Sequence, residues 1–120
     1  MKKKILVVDD EMQLKIFIES VLTTDGYETV GADNGREAVD KYKKIKPDLV
    51  ILDLIMPVMD GFEAFDAIRS INPQAKIIIL TGLNEKSKLE KLLAKGACAF
   101  LTKPFHSKEL FECIENCLKD

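Results

Sequence analysis

The stretch DLVILDLIMPVMDG, Asp48 to Gly61, decides the fold. Its first half, Leu49-Val50-Ile51-Leu52, is continuously apolar and stops at an acid, Asp53. A short unbroken apolar run suits a strand covered on both faces, as in a parallel sheet. An unpaired carboxylate is costly to bury. Asp53 therefore either ends the strand in water or stands where its charge has a use.

Three more runs share this character: Ile5 to Val8, Ile77 to Leu80, and Ala97 to Leu101. A fifth segment, Tyr27 to Ala32, is mixed in polarity and suits an edge strand. Helical spacing fills the gaps. Leu14, Phe17, Ile18, Val21 and Leu22 make one stripe; Leu110, Phe111, Ile114, Cys117 and Leu118 make another. Asp10 with Gln13, Asn34 with Glu37, and Asp60 with Glu63 fit capping boxes at helix starts. A helix near residues 85 to 95 is expected to bury Leu89, Leu92 and Leu93, leaving Lys88, Lys91 and Lys95 on its other side. Strand and helix alternate five times. That order predicts a three-layer α/β/α sandwich with right-handed crossovers, forming one domain over 1–120.

Composition narrows the function. The chain has 120 residues, 32% of them charged, with a net charge of -2. This is no polyelectrolyte, so neither nucleic acid nor a membrane is expected as a direct partner. No apolar run approaches the ~20 residues of a bilayer span. The N-terminal MKKKILVVDDE has too short an apolar run for a signal peptide, and a cytoplasmic location is expected. Cys98, Cys113 and Cys117 read as buried thiols in a reducing compartment. His106 is the only histidine, too few for a Cys/His metal site.

In open α/β sheets, ligands bind beyond the carboxyl ends of the strands. The residues following the buried runs are Asp9 and Asp10, then Asp53, then Thr81, then Thr102, Lys103 and Pro104. Singly, each has a plainer explanation: Asp10 as a helix cap, Asp9 as a solvated strand end, Lys103 as a surface lysine. Jointly they put three acids, a hydroxyl and an amine on one rim. Two like charges ~4 Å apart repel by about 4 kcal/mol at an effective dielectric of 20. A hard divalent cation relieves this. Mg2+ fits better than others because it uses one or two carboxylates together with waters and phosphate oxygens. A site so balanced can accept a phosphoryl group, whose transfer needs positioning and charge neutralisation. Asp53 is the nucleophile candidate, Asp9 and Asp10 metal holders, and Thr81 and Lys103 partners for phosphoryl oxygens.

Asp9-Asp10, Asp53 to Gly61, Thr81-Gly82, and Phe100-Leu-Thr-Lys-Pro104 together resemble the receiver domain of two-component response regulators (the CheY-like superfamily), over the whole chain. The resemblance implies a flavodoxin-like (βα)5 sheet of order 2-1-3-4-5. It implies that Asp53 takes phosphate from a sensor histidine kinase, a phosphotransfer protein or a small donor. Mg2+ would be bound by Asp10, Asp53 and the backbone carbonyl of Ile55, with Asp9 acting through water and Mn2+ as a substitute. The Lys103-Pro104 bond would be cis. Thr81 and an aromatic at Phe100 would form the switch, acting on the surface from helix 4 through strand 5 to helix 5. That surface would bind a downstream protein or a second receiver. Tyr is common where this chain has Phe100, so a contact needing the hydroxyl is in doubt.

Ile55 and Leu83 are apolar at the positions that flank the attacking water in that family, which predicts slow self-dephosphorylation. Met12 and Ile16 break the polar side of helix 1, near which the kinase's phosphohistidine helices dock in the family. The chain is expected to be a switch rather than an enzyme. Two alternatives stay open: an intermediate phosphorelay carrier, and a receiver cut from a larger, transcriptional regulator. A haloacid dehalogenase-like hydrolase would want a second Asp where Ile55 stands. A flavin site would want a Ser-, Thr- or Gly-rich loop where Asp9-Asp10-Glu11 stands.

Overall fold

The computed structural model describes residues 2–56, 58–82 and 86–119. Ten elements alternate: β1 (Lys4–Val8), α1 (Met12–Thr24), β2 (Glu28–Ala32), α2 (Gly35–Ile45), β3 (Leu49–Asp53), α3 (Gly61–Ile71), β4 (Ile77–Thr81), α4 (Lys86–Ala94), β5 (Ala99–Thr102) and α5 (Ser107–Leu118). The five strands are parallel and ordered β2-β1-β3-β4-β5, the order the resemblance implies. The mixed segment is indeed at an edge, as β2.

Side chains alternate across a strand, so each buried run feeds both faces. Ile5, Val7, Leu49, Ile51, Ile78, Leu80 and Leu101 pack with Ile18 and Leu22 of α1 and with Leu110, Ile114 and Cys117 of α5. Leu6, Val8, Val50, Leu52, Ile77 and Ile79 pack on the other face with residues of α2, α3 and α4. Two cores of this kind explain why the runs are continuous rather than alternating.

The structure corrects five expectations. Ala97 and Cys98 precede β5 instead of opening it. The Ala97 amide turns back to the Leu92 carbonyl across Gly96, at φ 112, closing the end of α4. Leu93 is 38% exposed, because the short α4 covers its core with Leu89 and Leu92 alone. Phe17 is 44% exposed at the margin of the α1 stripe. Asp10 is not a helix cap: Glu11 is the cap residue, and the Asp9 side chain accepts from the Glu11 amide instead. The cysteines are not three buried thiols. Cys98 is exposed and joined by a disulfide to Cys117 of α5, while Cys113 is free and half-buried.

Asn34 and Asp60 do cap their helices, accepting from Glu37 and Glu63 amides at 2.8 and 3.0 Å. At the amino ends of the strands, side chains stitch the layers together. The Lys4 amide donates to Asp48 at 2.8 Å, Asn72 Nδ2 to the Tyr42 hydroxyl at 3.0 Å, and Arg69 Nη1 to the Ala75 carbonyl at 2.8 Å.

At the opposite ends, the loop after β3 is closed by the Gly61 amide donating to the Leu54 carbonyl at 2.8 Å. A Cβ at Gly61 would stand 2.5 Å from Leu54 Cα and closer still to the Asp53 carbonyl oxygen. These are backbone atoms of a buried strand end and cannot swing aside. Gly61→Ala is therefore expected to lower stability by about 2 kcal/mol or more in urea unfolding. An Ala variant as stable as the parent would show that this approach is not tight.

Candidate functional site

Register decides which rim residues meet. Val8 pairs with Leu52, so Asp9, one residue beyond, lies beside Asp53. Asp53 pairs with Leu80, placing Thr81 one step further along the neighbouring strand. The Lys103 amide donates to the Thr81 carbonyl at 2.8 Å, fixing the chain just past β5. The period-two alternation then sorts the side chains. Asp9, Asp53 and Lys103 continue the face of Val7, Ile51 and Leu101; Thr81 continues the face of Ile79.

The outcome is an ionic cluster under cover. Asp9 is 0% exposed, Asp53 5% and Thr81 1%, whereas Asp10 is exposed. The Lys103 ammonium lies 3.3 Å from Asp9 Oδ2 and 3.4 Å from Asp53 Oδ2. Asp53 is therefore not wet: a lysine and two further acids surround it. One oxygen from each of Asp9, Asp10 and Asp53 lies within 4.8 Å of the others. Asp9 Oδ1 accepts from the Glu11 amide at 2.9 Å, whereas Asp9 Oδ2 is buried without a hydrogen bond. A buried carboxylate oxygen left with only a 3.3 Å ion pair, facing two more carboxylates, suits a hard cation with oxygen ligands.

The electrostatics agree. Burial, and next the charge of Asp9, push Asp53 up from 3.8 to about 6, against the lowering pull of Lys103 and a hydrogen bond from the Ile55 backbone. For Lys103, burial pulls its pKa down, but Asp53 and Asp9 outweigh this and leave it raised. One ammonium does not neutralise three acids.

The Lys103-Pro104 bond is cis. Ile55 is 63% exposed over the rim, and Phe100 is 42% exposed on β5. Leu83 lies outside the described residues. Sequence reasoning missed the groove beside the rim, about 390 Å3, between Glu11, Leu14 and Phe17 on one side and Lys103, Pro104 and Phe105 on the other. The apolar Phe105 directly after Lys103-Pro104 was the available signal.

Asp53 binds its proton more tightly folded than unfolded. Its contribution to the stability of the metal-free protein is complete below pH 3.8 and is lost as pH rises through about 6. Asp53→Asn removes the buried like charge. At neutral pH it is expected to stabilise the metal-free protein by on the order of 2 kcal/mol in urea unfolding. The gain should fade below pH about 4, where the parent carboxyl is itself neutral. A variant less stable than the parent at neutral pH would mean that Lys103 outweighs the crowding.

The family pattern described as "Response regulator receiver domain" matches residues 5–115. The chain is similar to chemotaxis protein CheY of Thermotoga maritima, 38% identical over 99% of this chain and 100% of that protein. It is also similar to sporulation initiation phosphotransferase F of Bacillus subtilis, 35% identical over 98% of this chain and 95% of that one. Among solved structures, CheY in the CheX-CheY-BeF3-Mg2+ complex of Borrelia burgdorferi superposes with a TM-score of 0.95 at 28% identity, covering 98% of this chain and 90% of that one. A family pattern that spans nearly every strand and helix, with relatives matched almost end to end, makes this chain a member of the response regulator receiver domain family.

Proposed function

We propose that the chain is a cytoplasmic, phosphorylation-driven switch that accepts a phosphoryl group on Asp53 with Mg2+ bound, the donor being a sensor histidine kinase. The observation that carries this is the buried Asp9 oxygen without a hydrogen bond, held with Asp10, Asp53 and Lys103 in one cluster. Asp10, Asp53 and the Ile55 carbonyl would hold the ion, with Asp9 acting through water; Mn2+ would serve in its place. When bound, the ion neutralises charge on the acids and the incoming phosphoryl oxygens.

The chain's own residues do the rest. An Asp53 oxygen attacks phosphorus, the bond from phosphorus to the donor nitrogen breaks, and an acyl phosphate forms. Lys103 moves its pairing to a phosphoryl oxygen. Thr81, held at the end of β4, donates to another. The new group adds about -1.5 to -2 charge, and the response passes through Thr81 and Phe100 to the α4-β5-α5 face, where a downstream protein or second receiver binds. The chain is not an enzyme in the ordinary sense: it modifies itself from small donors and reverses slowly.

Incubation with acetyl phosphate and Mg2+ is expected to add the mass of one PO3 unit, absent in Asp53→Asn or when the metal is chelated. No adduct under any condition would overturn the reading. Exposed Ile55 has no polar group to orient an attacking water, so the adduct is expected to decay over minutes or longer. Decay within seconds at neutral pH would remove that role from Ile55.

Phe17, 44% exposed, lines the groove beside Lys103, and α1 also exposes two apolar residues outside that groove, Met12 at 67% and Ile16 at 55%. Exposed apolar side chains on the helix that follows Asp9 and Asp10 suit the docking of a phosphohistidine-bearing helix. Ile16→Asp is expected to slow transfer from the kinase by about tenfold, while phosphorylation by acetyl phosphate is unchanged. Equal loss with both donors would place the defect in the site instead. Similarity to sporulation initiation phosphotransferase F favours a second reading, in which the phosphoryl group is passed on to a histidine phosphotransfer protein. Transfer from the labelled chain to such a protein separates relay from terminal switch.

A further inference from the structure

The disulfide joins Cys98, in the segment entering edge strand β5, to Cys117 in the last turn of α5. The two Cα atoms are 5.9 Å apart, in the middle of the range that a disulfide spans without backbone movement. Backbone placement alone therefore makes the pair competent. The two sulfurs belong to unlike surroundings. Cys98 is exposed, while Cys117 is 4% exposed within the core beneath α5. The third thiol, Cys113, lies one turn earlier on α5, half-buried, and burial pushes its pKa up, making it a poor competitor.

We propose that Cys98 and Cys117 are a reversible thiol–disulfide site that pins the end of α5 to the entrance of β5. The site is made by a low-molecular-weight disulfide and unmade by a thiol. In closing, the Cys98 thiolate attacks one sulfur of the oxidant, forming a mixed disulfide and releasing one thiolate. Cys117 then loses its proton and attacks Cys98 Sγ, and the second thiolate leaves. Two protein thiols are oxidised and one small disulfide is reduced to two thiols. In opening, an external thiolate attacks the sulfur of the exposed Cys98, and Cys117 leaves and is protonated; a second external thiolate then attacks the external sulfur of that mixed disulfide, Cys98 leaves and is protonated, and the two external thiols depart as a disulfide.

Structurally, the Cys98 amide is already held to the Ile77 carbonyl of β4 at 2.8 Å, so that end is fixed to the sheet. At its other end the bond holds a helix whose other fully buried anchors, Leu110 and Ile114, lie further from its C-terminus, with only the partly buried Leu118 packing at the end itself. With the bond open, the last turn of α5 is retained by packing alone and frays more readily. Neither the sulfur chemistry nor the fraying rests on the function proposed above.

The test uses the full chain. It is treated with oxidised glutathione or with dithiothreitol in native buffer, acid-quenched, alkylated under denaturing conditions and mapped by mass. One labelled cysteine, Cys113, is expected after oxidation and all three after reduction. Cys113→Ser should keep the chemistry and Cys98→Ser abolish it. Three labels after oxidised glutathione, a bond made through Cys113, or a bond that dithiothreitol cannot open without denaturant would each overturn the proposal. Amide exchange in the last turn of α5 is expected to be about tenfold slower in the oxidised form; equal rates would refute the pinning. Asp53→Asn protein should show the same cysteine behaviour, so loss of the phosphoryl adduct and loss of the disulfide are separable results.

Discussion

The Lys103 ammonium sits between two buried carboxylates, 3.3 Å from Asp9 and 3.4 Å from Asp53, and the rim of the sheet is organised around that contact. Among the described residues, Lys103 is the only cation shown against a group that carries three acids, so the cluster is under-neutralised. Burial, and next the charge of Asp9, raise Asp53 to about 6 in spite of Lys103. The strand register produces the cluster directly. Parallel pairing brings the ends of β1 and β3 side by side, and the alternation of side chains turns both acids toward the same face as Lys103. Neither acid could be moved to the other face without a one-residue slip, which would also turn the two cores inside out.

The surrounding backbone keeps this arrangement tight. The Glu11 amide satisfies one oxygen of Asp9 and leaves the other bare. The Gly61 amide folds the loop after β3 back on Leu54. Gly35 donates to the Met59 carbonyl at 3.0 Å and joins the start of α2 to the same loop. Val58, between these two bonds, stands at φ 70, a region that a β-branched residue rarely adopts. The loop is thus held from both ends while its middle is strained. Such a loop suits a site that must present a carboxylate without letting it retreat into solvent.

Much of this was legible in the sequence because the code was simple. Each buried strand announced itself as an apolar run, and the residue after each run was polar. Hence Asp9, Asp53, Thr81 and Lys103 could be gathered on one rim before any coordinates. Details that depend on how far a layer extends were not legible. Leu93 and Phe17 have helical spacing but lie past the margins of the layers they were expected to help bury, and periodicity carries no information about that width. Ala97 looks like strand in composition, yet Gly96 makes it the end of a helix turn. The Asp10 cap failed because α1 starts one residue later, with Glu11 at the cap position and no side-chain cap bond. The union of Cys98 with Cys117 joins residues 19 apart through the packing of α5, which no local spacing encodes.

Asp48, Tyr42, Asn72 and Arg69 occupy the pole of the molecule away from the acids, where they tie β1 to β3, α2 to α3, and α3 to the approach of β4. None of these groups belongs to the ionic cluster. The sandwich thus has one pole where side chains stitch the layers and one electrically loaded pole. Under the proposed function, charge arriving at the loaded pole would be met by local repositioning there, while the stitched pole would keep the layers aligned. A single small sandwich built this way would be loaded and unloaded many times without passing through the unfolded state.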